Sequence, residues 1–235
     1  MIDFASVKSF IIPEGEVQSI SKDGVVVWAK PNEIQNPYAR ELNYIESTGT
    51  QYIDTLWNPA SPNARIKCVL TPTASLNGLA VFGSENENYD CKWLFALGAM
   101  NYNYSRFYPH LGQWKNDGVY VTVVTNRRTT IDWSLVYGGQ MKCTIKNPTA
   151  NNLGVKTFTT DITTHKDHLK IFQNLDTQRA SMKLYYFQIY EDEVLVRDFI
   201  PVMDNNNVPC LYEKLEGKLY YNQGEGEFLY GELEA

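Results

Sequence analysis

"KLYYFQIYEDEVLVRDFIPV", residues 183–202, decides the class of fold. Tyr, Phe, Ile, Leu and Val recur with a period near two on both sides of Glu191, Asp192 and Glu193. The stretch therefore reads as two strands, 183–191 and 193–202, joined by a hairpin turn whose charges blunt a strand edge. The same period runs through "GVVVWAK" (24–30), "NARIKCVLTP" (63–72), "LAVFGS" (79–84), "KWLFALG" (92–98), "VYVTVVTN" (119–126), "TIDWSLVY" (130–137), "MKCTIK" (141–146) and "HLKIFQN" (168–174). Only "DTQRASMK" (176–183) offers a helical turn, and the crossover helices of a parallel α/β fold are not found. Short strands with turn signals about every ten residues predict an all-β protein, an antiparallel two-sheet jelly-roll sandwich with a small β module at its N-terminal end.

The module is marked off by "PNEIQNPYAR", where two prolines and three amide side chains interrupt two strand-like regions. The expected organisation is a small β attachment module at 1–30, a linker at 31–40 and the sandwich at 41–235. The module should hold three short strands, with a turn at Pro13–Gly15 and a hairpin at Asp23-Gly24. About thirty residues bury too little to be stable alone. Phe10, Ile11, Ile12, Val25, Val27 and Trp28 must therefore be covered by something, and Phe10, Ile12, Val27 and Trp28 are the candidate attachment surface.

Charge narrows the partners. Lys and Arg total 21 against 27 Asp and Glu, a net charge of −6, which lacks the basic footprint that a phosphate backbone requires, so nucleic acid is not expected. "MIDFASVKSFII" is too short in apolar residues for a secretory signal or a membrane span, so a soluble chain made in a cytoplasm, without membrane insertion, is expected. The four cysteines, Cys68, Cys91, Cys143 and Cys210, lie at neither metal-ligand nor redox spacing and read as free thiols. In "RIKCVL", Arg65 and Lys67 point one way while Ile66, Cys68 and Leu70 point the other, and "QMKCTIK" repeats the pattern with Met141, Cys143 and Ile145. Cys68 and Cys143 are read as small core residues.

Two segments at the ends of the main domain, "LNYIESTGTQYIDT" and "KLYYFQIYEDEVLVRDFIPVMDNNNVPCLYEKLEGKLYYNQGEGEFLYG", carry a resemblance. Their pairing resembles the concanavalin A-like, laminin G-type sandwich modules of phage and prophage tail proteins, and "IPEGEVQSISKDGVVVWAK" resembles the short β module that often precedes them. The order of Tyr52-Ile53-Asp54-Thr55, "VFGS", Asp198-Phe199-Ile200-Pro201 and the Tyr221-Asn222 and Gly224–Gly226 turn carries the likeness. Pro209-Cys210-Leu211-Tyr212-Glu213 departs from it, since such modules commonly show a glycine before Leu-Tyr-Asp. The resemblance implies a virion surface protein of tail tip, tail fibre or head fibre, assembled in a bacterial host cytoplasm. It implies other virion proteins and a host-surface glycan as partners, and a homo-oligomer, by analogy with tail fibres a trimer.

The remaining chemistry is sparse. Ser47, Thr48, Gly49 and Thr50 read as a bend, with hydroxyls for turn amides and a permissive φ at Gly49. A nucleophilic serine would need a base, and His110, His165 and His168 sit in segments without a partner motif. "SENENYD" and "YEDEV" hold carboxylates that could pair for glycan hydrolysis, but they read as a solvated loop and a turn. "MDNNN" (203–207) reads as a polar turn and not a calcium loop, so no metal and no cofactor is expected. Aromatic residues crowd "YDCKWLFALGAMNYNYSRFYPHLGQW", where Tyr102, Tyr104, Tyr108 and Trp114 are the candidate glycan-stacking residues on a shallow surface. The expectation is a glycan-binding virion module and not an enzyme, with a purely structural virion protein and a glycan hydrolase as alternatives.

Overall fold

The computed structural model describes residues 19–22, 25–29, 36–74, 79–85, 92–97, 106–111, 121–122, 125–147, 150–157, 163, 167–173 and 179–233. The chain divides into two compact units, Met1–Asn36 and Pro37–Ala235. In the first, β1 (Ser19–Lys22) and β2 (Val25–Ala29) form an antiparallel hairpin with Ile20 opposite Trp28. The expected turn at Asp23-Gly24 and the strand around Phe10 lie outside the described residues.

The second unit opens with β3 (Tyr38–Thr48), which begins inside the stretch expected to be linker. It continues through β4 (Ile53–Asp54), β5 (Ala64–Pro72), β6 (Leu79–Glu85), β7 (Lys92–Leu97), β8 (Arg106–Leu111) and β9 (Val121–Thr122). Then follow β10 (Thr129–Leu135), β11 (Gln140–Asn147), β12 (Ala150–Thr157), β13 (Lys170–Ile171), β14 (Ser181–Glu191), β15 (Val194–Asp204), β16 (Pro209–Glu213), β17 (Lys218–Tyr220) and β18 (Leu229–Glu232). One sheet of ten strands runs β12-β11-β10-β5-β14-β3-β15-β16-β17, with β18 also on β3, and one of six runs β4-β13-β6-β7-β8-β9. The chain alternates between them, from β3 to β4, back to β5 and over to β6, as a jelly-roll sandwich requires. Opening strand and closing strand meet, Tyr230 opposite Ile45, so that this stretch of β3 is paired by β18. The all-β, antiparallel sandwich is the fold expected from the period-two pattern.

That pattern works because each strand sends alternate residues inward. β10 alternates without fault, burying Thr129, Ile131, Trp133 and Leu135 between half-buried neighbours. The two sheets meet through rings: Phe82 of the six-stranded sheet lies 5.8 Å from Trp133 and 5.2 Å from Phe187 of the ten-stranded one, centroid to centroid. Cys68 and Cys143 are buried in this core as free thiols, as their alternation predicts, and Cys210 is buried and free as well. Burial pushes the Cys143 thiol up to about 12 and raises that of Cys68 still further.

Four sequence readings are corrected. Residues 181–183 are strand and not helical turn, because Met182 must enter the core between the half-buried Ser181 and Lys183. "HLKIFQN" keeps a strand only at Lys170–Ile171, since Phe172 turns to φ 69° to bury its ring and to give its N–H to Val81 O. "VYVTVVTN" ends in a turn, with Asn126 at φ 60°. The 191–193 charges form the expected hairpin turn, with Asp192 and Glu193 at φ 46° and 63°, but they do not blunt an edge. β14 and β15 are interior strands, and the carboxylates fasten the 57–65 segment: Glu191 accepts from Trp57 Nε1 and Ala60 N, Asp192 from Asn63, and Glu193 from Arg65.

Candidate functional site

The outer face of the ten-stranded sheet, turned away from the core, gathers four tyrosines. Tyr185 and Tyr186 are neighbours in sequence, so strict alternation would send one of them inward. A register shift between Leu184 and Tyr186, where β14 runs beside β5, breaks the alternation. Leu184 and Phe187 are then both buried, and both intervening tyrosines are left half-exposed. Such a bulge places two consecutive side chains on one face and re-aims them. Tyr190, four residues on, shares that face, and Tyr44 of β3 completes it, its ring centroid 5.8 Å from that of Tyr185 in an edge-to-face arrangement. Tyr44 can lie there because β18 passes beneath it at Gly231, where a Cβ would collide with the Tyr44 ring.

Cations and polar groups are set among the rings. The Arg128 guanidinium lies 3.9 Å from the Tyr185 centroid, the Lys67 ammonium 5.0 Å from that of Tyr190 and the Lys183 ammonium 4.3 Å from that of Tyr44. Lys183 Nζ also donates to Tyr44 Oη at 3.2 Å, which with neighbouring charge raises its pKa above the ordinary lysine value. Tyr185 Oη shares a hydrogen bond with Thr71 Oγ1 at 3.2 Å. Tyr190 Oη donates to Gln188 Oε1, whose amide nitrogen in turn donates to Asp198 at 3.0 Å. Arg65 holds Asp132 with two bonds of 2.8 Å and Glu193 with a third, and these partners raise its pKa. Burial raises the phenol of Tyr186, so this ring offers an uncharged, partly dehydrated surface. Beyond Arg65, the cleft between Asn63, Val136, Asp192 and Glu193 encloses only about 270 Å³. The face combines flat apolar rings, oriented amide and carboxylate acceptors, and cationic donors, a combination suited to sugar rings and their hydroxyls.

The 47–50 stretch is a bend, as expected, with Gly49 at φ 101°. Its polar groups are structural: Ser47 Oγ donates to Gln51 O, Thr48 N donates to Gln51 Oε1, and Gln51 Nε2 reaches Glu227 O at 3.0 Å. The bend thus clamps the C-terminal segment that leads into β18. The "MDNNN" turn is likewise polar, with Asp204 accepting from Asn206 N and Val208 N. His168 does have a partner that sequence reasoning missed, its Nδ1 standing 3.1 Å from Asp54 Oδ1 across the β13–β4 pair. Only the pairing of these two short strands could have revealed it. Among the described residues no group of three or more His, Cys, Asp or Glu side chains could hold a metal ion.

Tyr102, Tyr104 and Trp114 lie outside the described residues, and Tyr108 is on β8 opposite Ala96. Phe10 and Ile12 lie outside them as well, while Val27 and Trp28 are on β2. Tyr44, Tyr185, Tyr186 and Tyr190 were not among the candidates. Their signal was present in Tyr185, Tyr186 and Tyr190 within the hairpin and in the outward direction read for Lys67.

No family model matches the sequence, and no curated protein matches it. Solved structures of similar fold include a legume lectin-like domain from Entamoeba histolytica, 10% identical, with a TM-score of 0.41 over 69% of this chain and 93% of that one. They also include a scytalido-glutamic peptidase with a peptide-based transition-state analogue, 12% identical, with a TM-score of 0.38 over 72% and 92%. A third is SCP-B, an eqolisin-family peptidase in complex with the tripeptide Ala-Ile-His, 12% identical, with a TM-score of 0.37 over the same shares. The peptidases correct the expectation that the chain is not an enzyme, since catalysts are found among chains of similar fold. At these identities and TM-scores the likeness assigns no activity.

Proposed function

We propose that the sandwich is a lectin-like domain that binds glycans on the tyrosine face of its ten-stranded sheet. The observation that carries this reading is the bulge in β14, which puts Tyr185 and Tyr186 side by side on an outer face already furnished with Tyr44, Tyr190, Gln188 and three ring-stacked cations. Purely structural outer faces do not need a bulge that exposes two neighbouring rings, and a shallow aromatic surface with oriented polar groups is what sugar binding uses. The resemblance to phage tail modules extends the proposal. The protein would be a virion surface protein, on a tail tip, tail fibre or head fibre, assembled in the bacterial cytoplasm. The sandwich would present its face to host glycans, and residues 1–30 would dock through Phe10, Ile12, Val27 and Trp28 onto other virion chains or symmetry mates of a trimer.

A glycan array probed with the full chain tests the binding reading. Wild type should mark a restricted set of glycans, and Tyr186→Ala should lose roughly tenfold in affinity for them, since a stacked ring contributes about 1–3 kcal/mol in comparable stacking. An unchanged melting temperature in the variant would attribute the loss to the face. Wild type that marks no glycan would leave the structural reading, a virion decoration protein without ligand.

A further inference from the structure

Charge on the tyrosine face is unevenly satisfied. Arg65 is held by Asp132 and Glu193, and Lys183 has Tyr44 Oη and, at 4.0 Å, Glu46. Lys67 and Arg128 differ. Among the described residues neither has a carboxylate within ion-pair distance, and each is stacked on a ring instead, Lys67 on Tyr190 and Arg128 on Tyr185. A ring engages only part of a cation's donor set, so the remaining N–H groups of a lysine's three or an arginine's five stay available to an anion. In a chain of net charge −6, two cations of one face that no described carboxylate meets at ion-pair distance, even though Asp132 stands opposite Lys67 in the ladder, depart from the overall balance.

Their spacing is set by the sheet. Thr129 lies opposite Leu70, so Arg128 falls one step beyond it, level with Thr71. Lys67 is four residues away along β5, a separation of about 13 Å at the rise of an extended strand. Tyr186 lies between them, opposite Val69. The face thus has a neutral aromatic floor with, towards each end, a cation that no described carboxylate pairs, over the length of a short oligosaccharide.

Resting on the glycan reading above, we infer that this face selects acidic oligosaccharides, with Lys67 and Arg128 receiving carboxylate or sulfate groups and Tyr186 stacking a sugar ring between them. The two anion chemistries share one requirement, a negative group on either side of a stacked ring. Neutral glycans would satisfy the floor and leave both cations solvated. Nucleic acids are disfavoured because the chain carries a net charge of −6.

The test uses the full chain and matched probes that share a backbone: dextran, carboxymethyl dextran and dextran sulfate, beside an array holding neutral, uronate-bearing and sulfated glycans and a DNA duplex. Wild type should prefer acidic over neutral members of a pair by about tenfold at low salt, with the preference shrinking as salt rises. Lys67→Gln and Arg128→Gln should each cost about three- to fivefold on acidic probes, in line with exposed ion pairs, and leave neutral ones unchanged. Tyr186→Ala should weaken both classes. Preference for the carboxymethyl or the sulfated form identifies which anion is read. Equal binding of neutral and acidic partners, with Lys67→Gln and Arg128→Gln silent, would overturn the acidic specificity while leaving the glycan reading intact. Duplex bound as well as the acidic glycans would also overturn it, as unselective polyanion capture. Absence of all glycan binding would remove both readings.

Discussion

Glu213, a carboxylate with no exposed surface, accepts the backbone N–H of Asp198 at 2.7 Å from the neighbouring strand β15. The same carboxylate accepts the N–H groups of Leu215 and Glu216, so one side chain closes the 214–217 turn and anchors β16 to β15. Asp198 is then free to use its own carboxylate on Lys214 Nζ, at 2.7 Å, and Gln188. Because three amides lose their acceptor together, Glu213→Ala should cost about 3 kcal/mol in urea unfolding, and Glu213→Gln, which retains one carbonyl oxygen, about half of that. A loss below about 1 kcal/mol for the alanine variant would contradict this role.

Phe82 is where the two sheets meet, and its ring is fully buried against Trp133 and Phe187. Phe82→Ala removes the contacts with two rings of the facing sheet at once and should destabilise by about 3–5 kcal/mol, whereas Phe82→Leu should cost about 1 kcal/mol. Thermal melts of the two variants check the ordering.

How much of this was legible in the sequence follows from what determines each feature. Strands such as β10 and the β14–β15 hairpin have one buried and one open face, and that asymmetry is written as period two. β3 shows no clean period because Leu42 and Ile45, three apart, are both inward: its pairing with β18 shifts register between Gly231 and Glu232, and no local pattern records that. The tyrosine face was missed for the same reason. The bulge that turns Tyr185 outward beside Tyr186 arises from pairing with β5, more than a hundred residues away, so aromatic density near 89–114 drew the choice of candidates instead.

Asp204 and Tyr221 set both limits of a pH profile. Burial alone would raise the Asp204 carboxyl, but the N–H groups of Val208 and Asn206 and the Tyr221 hydroxyl, at 3.0 Å, outweigh it and hold the group below its ordinary 3.8. A carboxyl more acidic in the folded state stabilises at pH above about 4 and loses that contribution as pH falls further. Tyr221 is pushed up to about 12 by burial and by the same bond. Its contribution is complete below about 10, where the unfolded phenol titrates, and is lost as pH climbs from there to about 12. Asp204→Asn should be less stable than wild type at pH 7 and converge with it below about pH 4. Tyr221→Phe should show a flatter alkaline limb, and chemical denaturation across pH reads both.

Buried thiols report on the core from inside. Cys68, Cys143 and Cys210 are buried and free, and burial raises all three pKa values, that of Cys210 to about 12. At pH 8 iodoacetamide should leave these three unmodified in the native protein and alkylate them in denaturant, as peptide mass spectrometry can resolve. Modification of Cys68 under native conditions would mean that the pairing of β5 with β14 opens readily.

The two ends of the chain should respond oppositely to truncation. Every residue of the described core lies between Leu42 and Phe228, and Met1–Asn36 forms a compact unit distinct from Pro37–Ala235. Deleting residues 1–33 should therefore leave a cooperatively melting sandwich, and if the attachment proposal holds, that sandwich no longer oligomerises or enters particles. Removing residues 229–235 deletes β18, strips Ile45 and Glu46 of their partners Tyr230 and Leu229, and breaks the bidentate Arg40–Glu232 contact at 2.8 and 3.0 Å. It also leaves the 42–46 stretch of β3 open on the side where β18 now pairs with it. The shorter C-terminal deletion should thus cost more stability than the longer N-terminal one and promote aggregation, measurable by melting temperature and light scattering. An N-terminal deletion that abolished the cooperative melt, or a C-terminal one that left it unchanged, would reverse this assignment of where the fold is held.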